Sequence, residues 1–318
     1  MISHLMRGRL GNQMFQYACL RALQLKYYPN ESINIDFSDL KKLGTEEEGF
    51  CDSLKDFNVV PFSSRPFSPK SYKKAILFAL RIQNALLRIV GLRDKADQIT
   101  YRLEKRIQPF LNKKGIYYMI HGYCPLGSSS SKEKFSIGNY ESAKYFESIR
   151  PLLLEEFTPI APPLEKNKSL YELIESKDSV CVSIRRGDFV DDDDLKRTHF
   201  VCGHSYFDRA IKEMCQRLVS PVFVVFSDDI NWVKENMSFP GIVAYEDGND
   251  PVWEKLRMMY SCSHFVISNS TFSWWAQYLC RNEEKIVMAP SVWKNISYKP
   301  YGEKLDIYQD EWILIDPD

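Results

Sequence analysis

The sequence predicts an α/β chain folded as two halves, each built on a parallel sheet. Three observations carry this. The length of 318 residues, at roughly 150 residues per domain, gives about two domains. In the second half, unbroken apolar runs (SVCVSIR, PVFVVFSDD, HFVISNS, KIVMAP) alternate with stretches of helical period. Strands that are apolar on both faces belong to sheets covered by helices on both sides. The first half opens with the same order: strand, glycine turn, helix, strand.

Taken in order, ISHLM reads as a short strand and RGRLG as a turn. NQMFQYACLRALQLKYY reads as a helix, with Met14, Phe15, Ala18, Ala22, Leu23 and Leu25 at helical spacing. SINIDF at 32–37 is a strand. Residues 71–108 are mostly helical and rich in charge. Within them, 75–92 is the most apolar stretch, but Arg81 and Arg88 inside it exclude a membrane-spanning helix. Two readings stay open for 73–92: an amphipathic helix packed on its own domain, or a basic face resting on an anionic membrane surface. IYYMIHGY at 116–123 is a strand and GSSSSKEK at 127–134 a polar turn. Residues 140–157 read as a helix interrupted at Pro151. TPIAPP at 158–163 is the connector, which divides the chain into domains 1–162 and 163–318. Beyond it, strands at 179–185, 221–229, 241–246, 264–270 and 285–290 alternate with helices at 205–218, around DINWVKENM, at 250–262 and at 270–280.

Charge narrows the function. Lys and Arg number 42 and Asp and Glu number 42. That balance excludes a dedicated nucleic-acid binder, which needs a net basic field. The eight cysteines contain no CxxC pair and lie in apolar stretches, as free thiols do in a reducing compartment. The start of the chain has no secretory pattern. A cytoplasmic protein is expected, peripheral on the inner face of the membrane if 73–92 is basic surface.

Three segments carry chemistry. In IRRGDF, Arg185 and Arg186 end an apolar strand, Gly187 permits a tight turn, and Asp188 can fix a guanidinium or a ribose hydroxyl. Neighbouring residues on a strand face opposite ways, so one arginine at most faces a ligand. A guanidinium fork suits a diphosphate, and it equally suits a structural ion pair. In SNSTFSWW, Ser270, Thr271 and Ser273 open a helix after a strand, giving either an anion site or an ordinary N-cap. GRLGNQ places Asn12 at the first strand–helix turn, but its glycine spacing is not that of the dinucleotide fingerprint. There is no phosphate-loop motif. The run Asp191–Asp194 is either a metal site or a hydrated loop. His199, Cys202 and His204 lack a second cluster to complete a zinc site.

The stretches GRLGNQMFQYA, GNYESAKYF, VSIRRGDFV, FSDDINW and MYSCSHFVISNSTFSWWAQYL, in that order along most of the chain, resemble glycosyltransferase family eleven, the bacterial α-1,2-fucosyltransferases. The resemblance implies a GT-B-like fold: two Rossmann-like domains with a cleft between them. It implies inverting transfer of fucose from GDP-fucose, without metal or other cofactor, to a hydroxyl of an acceptor glycan, O2 of a terminal β-galactose being the family-level expectation. Another GDP-sugar transferase and a non-catalytic glycan-binding protein are the alternatives. The C-terminal domain would take the donor and the N-terminal domain the acceptor. Arg185 would grip the β-phosphate, with Asp228, Asn269, Ser270, Thr271, Phe272 and Ser273 around the donor, and Asn12, Arg185 and Asp188 as the catalytic set. The general base is sought among Asp191, Asp193 and Glu254. The chain departs from the family at Ser183, where His is usual, at Glu141, where Gln is usual, and at Lys255, where Asp is usual.

Overall fold

The computed structural model describes residues 1–69, 74, 76, 78, 82, 93–120 (93–98 by backbone only), 122–175, 178–187, 190, 193, 196, 199, 202–294 and 306–317. The chain forms two compact units. One comprises Met1–Lys55, Val59–Glu156 and Ile296–Gln309, and the other comprises Asp56–Asn58, Phe157–Asn295 and Asp310–Asp318.

The first unit runs β1 (Ile2–Leu5), α1 (Leu10–Tyr27), β2 (Ile33–Asp36), α2 (Arg93–Lys113), β3 (Ile116–Met119), β4 (Lys134–Gly138) and α3 (Arg150–Glu156). Its four strands lie in the order β2-β1-β4-β3, all parallel. β4 is absent from the sequence reading because it follows a polar turn and begins with a lysine. That Lys134 is buried, with Nζ 2.6 Å from Glu31. The expected helix at 140–157 is shorter. Tyr140 takes φ 54°, which stops regular structure. Only Arg150–Glu156 is α-helical, after two 3₁₀ turns. Pro151 lies in its first turn, where a missing N–H costs nothing. It therefore starts the helix instead of interrupting it.

The second unit runs α4 (Lys168–Ile174), β5 (Ser179–Ile184), α5 (His204–Arg217), β6 (Val222–Ser227), α6 (Ile230–Asn236), β7 (Ile242–Tyr245), α7 (Val252–Ser261), β8 (His264–Ile267), α8 (Thr271–Leu279), β9 (Val287–Pro290) and β10 (Ile313–Ile315). The sheet order is β10-β9-β8-β5-β6-β7, again parallel throughout. This is the doubly wound Rossmann order, and its winding reverses between β5 and β8. One face packs α5 on the sheet through Tyr206, Phe207 and Met214 against Val180, Val225 and Met288. Trp274 and Trp275 of α8 are wholly buried, and Trp275 meets Phe157 edge-on at 5.1 Å. These tryptophans are core.

The division at Glu156/Phe157 lies a few residues before the expected boundary, and the connector is not slack. Arg257 donates to Pro159 O (3.3 Å) and to Ala161 O, and Glu254 accepts from Leu164 N (2.9 Å) and Asn167 Nδ2 (3.2 Å). Asn58 N donates to Thr158 O and Ile160 N to Asp56 O, which draws 56–58 into the second unit.

Candidate donor site at the β5–β8 switch

In an open parallel sheet, ligands bind beyond the carboxyl ends of the strands where the winding reverses. In the second unit that place is the end of β5 and β8, and both motifs singled out from the sequence emerge there. β5 and β6 are in parallel register, with Ile184 opposite Ser227. Continuing that register sets Arg185 against Asp228 and Arg186 against Asp229. Arg185 Nη1 lies 2.8 Å from Asp228 Oδ2, both side chains being about a quarter exposed (26% and 25%). Arg186 points elsewhere. Its guanidinium stacks on Trp232 of α6, 3.3 Å from the ring centroid, with Nε 3.5 Å from Asp229. The alternation of strand neighbours thus separates the two arginines, and Arg185 is the more exposed of the two at the strand end.

Asp228 does more than pair. Its Oδ1 accepts the Arg186 amide at 2.8 Å. A Cβ on Gly187 would fall 2.6 Å from Asp228 Oδ2. The glycine is therefore what allows the carboxylate this close to the turn.

α8 starts beside this turn. Ser270 is its N-cap, its hydroxyl accepting from Phe272 N at 3.3 Å. The first-turn amides have no intrahelical acceptor, and the start of a nine-residue helix carries partial positive charge. Ser270, Thr271 and Phe272 are half-buried, and Ser273 is buried. Ser273 Oγ meets Ser183 Oγ at 2.7 Å and Ser268 Oγ at 3.3 Å. Ser183, in the position where the family has His, therefore ties β5 to α8 through a chain of hydroxyls.

Other expected donor or base residues are placed differently. Asn269 is buried and its amide is fully engaged: Nδ2 donates to His199 O (2.7 Å) and Trp293 O (3.0 Å), and Oδ1 accepts from the Cys202 thiol at 3.5 Å. It braces three segments. Burial pushes that thiol up to about 12. Glu254, proposed as a base, is wholly buried and paired with Arg257 at 3.1 Å. It anchors the connector and has no exposed oxygen to offer an acceptor. Asp193 is exposed. Asp188 and Asp191 lie outside the described residues. Lys255, in the Asp position of the family, donates to Gly248 O at 2.7 Å and sits 3.5 Å from Glu246.

His199, Cys202 and His204 do not converge: Cys202 turns to Asn269, while His204 bonds Asn236 O and Asp208. Among the described residues, Glu246, Asp247 and Asp250 gather carboxylate oxygens within 4.8 Å. Lys166 lies 2.8 Å from Asp250 and Lys255 borders Glu246, so two ammonium groups already offset much of the charge of this trio.

The first unit repeats the switch geometry between β1 and β4. Its turn is Arg7–Arg9, with Gly8 at φ 77°. A Cβ there would come within 2.5 Å of Asn12 Nδ2. Asn12 is half-buried against this glycine at the start of α1. Two buried glutamines set the turn. Gln13 donates to Gly8 O (2.9 Å) and Cys51 O (2.7 Å), and Gln16 donates to Arg7 O (2.7 Å) and Asn12 O (2.9 Å). Because the Gln16 nitrogen is so engaged, its oxygen faces inward and accepts from Arg7 N and from His4 Nε2 at 2.9 Å. Ser136 of β4 meets the other ring nitrogen at 3.0 Å. His4, Gln13, Gln16, Ser268, Asp229 and Trp232 were not expected as site-building residues. The signal available was the polar Gln at 13 and 16, three apart on the face of a helix that otherwise buries apolar groups.

A Rossmann sheet with a cationic side chain and a helix start at its switch point is the frame of a nucleotide-binding α/β protein. The chain belongs to glycosyl transferase family 11, whose family model matches residues 1–316, and it is a glycosyltransferase. It is 30% identical over 318 residues to an alpha-1,2-colitosyltransferase of Escherichia coli, covering 97% of each chain. It is 27% identical over 183 residues to the mouse galactoside 2-alpha-L-fucosyltransferase Sec1, covering 55% of this chain and 49% of that one. Among solved structures it is similar to NodZ alpha-1,6-fucosyltransferase soaked with GDP-fucose, with a TM-score of 0.49 and 11% identity over 93% of this chain and 97% of that one.

Proposed function

We propose that the protein transfers fucose from GDP-fucose, with inversion and without metal, to a hydroxyl of an acceptor glycan, O2 of a terminal β-galactose. The single observation that carries this is Arg185, held partly exposed at the β5–β8 switch beside the start of α8. Transfer leaves negative charge on the departing β-phosphate. A guanidinium and a helix N-terminus at the same switch stabilise that charge as it grows, with no reorganisation at the moment of reaction. The Thr271 and Ser273 amides supply the donors. The acceptor proton passes to a carboxylate drawn from Asp188, Asp191 or Asp193, since Glu254 is committed to Arg257. The neutral overall composition favours a glycan over a nucleic acid as the second partner. A peripheral contact of 73–92 with the inner face of the membrane is part of this proposal.

A second reading has its own support. The relative at 30% identity over nearly the whole length is named for colitose, the 3-deoxy counterpart of fucose. The chain would then take a GDP-linked dideoxy sugar through the same diphosphate grip. Incubation with GDP-fucose and GDP-colitose in separate reactions, each against a galactoside panel in excess EDTA, distinguishes the two. The expected product is an α-1,2-linked fucoside of β-galactose. Turnover only with the 3-deoxy donor transfers the proposal to that sugar, and recovery only on adding manganese removes the metal-free mechanism.

A further inference from the structure

The charge balance of the whole chain conceals a strong local excess. Residues 70–114 hold twelve Lys or Arg and three Asp or Glu. In α2 the excess is sorted onto one face. Arg102, Lys105, Arg106, Pro109, Phe110 and Lys113 are exposed, and Lys114 follows just beyond the helix end. Their spacing of three and four residues makes them one stripe. The opposite face is buried and includes Gln108, Leu111 and Asn112. Glu104 is buried on that side too, its carboxylate accepting from Ile120 N at 3.1 Å. Asp306, the carboxylate that acts on Lys105, is held by Lys144 and the Tyr123 amide.

Apolar bulk stands out of the same region. Phe110 is 56% exposed within the stripe, and Phe78 and Ile82 are 65% and 42% exposed. Lys74, Phe78 and Ile82 are four apart in helical conformation, so they too share a face. Ile76, on the inner side of that stretch, packs into the same core as Ile107 and Leu111. Cations interspersed with exposed aromatic and aliphatic groups, on helices anchored by their other face, match a surface that is anionic outside and apolar beneath. A polyanion without an apolar layer would leave Phe78 and Ile82 with nothing to bury against.

We infer, deepening the peripheral contact proposed above, that the exposed face of α2, with Lys74, Phe78 and Ile82, docks the protein on an anionic lipid bilayer. The cations meet the headgroups, and the phenylalanines and Ile82 enter the headgroup–acyl boundary. Two weak signals, charge and shallow apolar insertion, together give stable but reversible attachment.

The test is cosedimentation of the whole chain with phosphatidylcholine vesicles, with and without phosphatidylglycerol, at low and high salt. Binding is expected only with the anionic lipid and is expected to weaken with salt. Arg106→Glu with Lys113→Glu is expected to lower the partition by about tenfold or more, and Phe110→Ser to lower it at constant charge. Both variants keep the circular dichroism and GDP affinity of the wild type. Absence of binding to anionic vesicles overturns the inference, as does binding that survives the charge reversal. A short DNA duplex bound as tightly as the vesicles, with Phe110→Ser silent, overturns it in favour of a nucleic-acid surface.

Discussion

Under the proposed function, the pair of Arg185 and Asp228 acts on transfer in two opposed ways. The carboxylate orients the guanidinium, and it also repels the diphosphate that the guanidinium is meant to receive. Both side chains keep about a quarter of their surface in water, so solvent screens the repulsion and orientation dominates. Asp228→Asn keeps an oxygen for the Arg186 amide. It is expected to lower the transfer rate about tenfold while leaving GDP affinity unchanged or tighter. In an Arg185→Ala background the same change is expected to add nothing. An affinity loss shared by GDP and guanosine would place Asp228 on the nucleoside instead. At this scale the motifs were legible: two arginines at a strand end and Ser/Thr at a helix start are local chemistry. The partner of each was not. Asp229 and Asp228 meet Arg186 and Arg185 only through the register of β5 on β6, and Asn269 shows its bracing role only once His199, Cys202 and Trp293 are in place.

At the scale of elements, α1 is fixed to its sheet by a polar core. His4, Gln16 and Ser136 are all buried, and burial pulls the His4 imidazole down to about 4. In the unfolded chain it titrates near 6.5. Between those values the unfolded state takes up a proton that the folded state refuses, so stability falls as pH falls through that window. The slope from this group is about 1.4 kcal/mol per pH unit. Thermal unfolding of the first unit between pH 7 and 5 is expected to show it, and His4→Asn to flatten it. An unchanged slope in the variant would assign the titration to another group. Elements with long apolar or periodic runs were legible in the sequence: α1, β5, β6 and α8 stand where expected. β4 and β10 were not. β4 begins with a lysine whose charge is hidden by Glu31, and β10 is three half-buried residues at a sheet edge. The length of the helix before the connector was misjudged because nothing in YESAKYF announces the positive φ of Tyr140.

At the scale of the whole molecule, two parallel α/β units were foreseen from length and alternation. The sharing of chain between them was not: 56–58 joins the second unit and Ile296–Gln309 the first, through contacts far apart in sequence. Equal numbers of acids and bases argued against a nucleic-acid binder, yet the sum concealed a cationic helix face in one unit and, in the other, the arginine proposed to meet the diphosphate. The proposed transfer depends on that arginine. Its most direct test is calorimetric titration of GDP into the wild type and Arg185→Ala, with circular dichroism establishing that both are folded. Saturable binding to the wild type and a loss of about a hundredfold or more in the variant are expected. Equal affinity in the two folded proteins would contradict it.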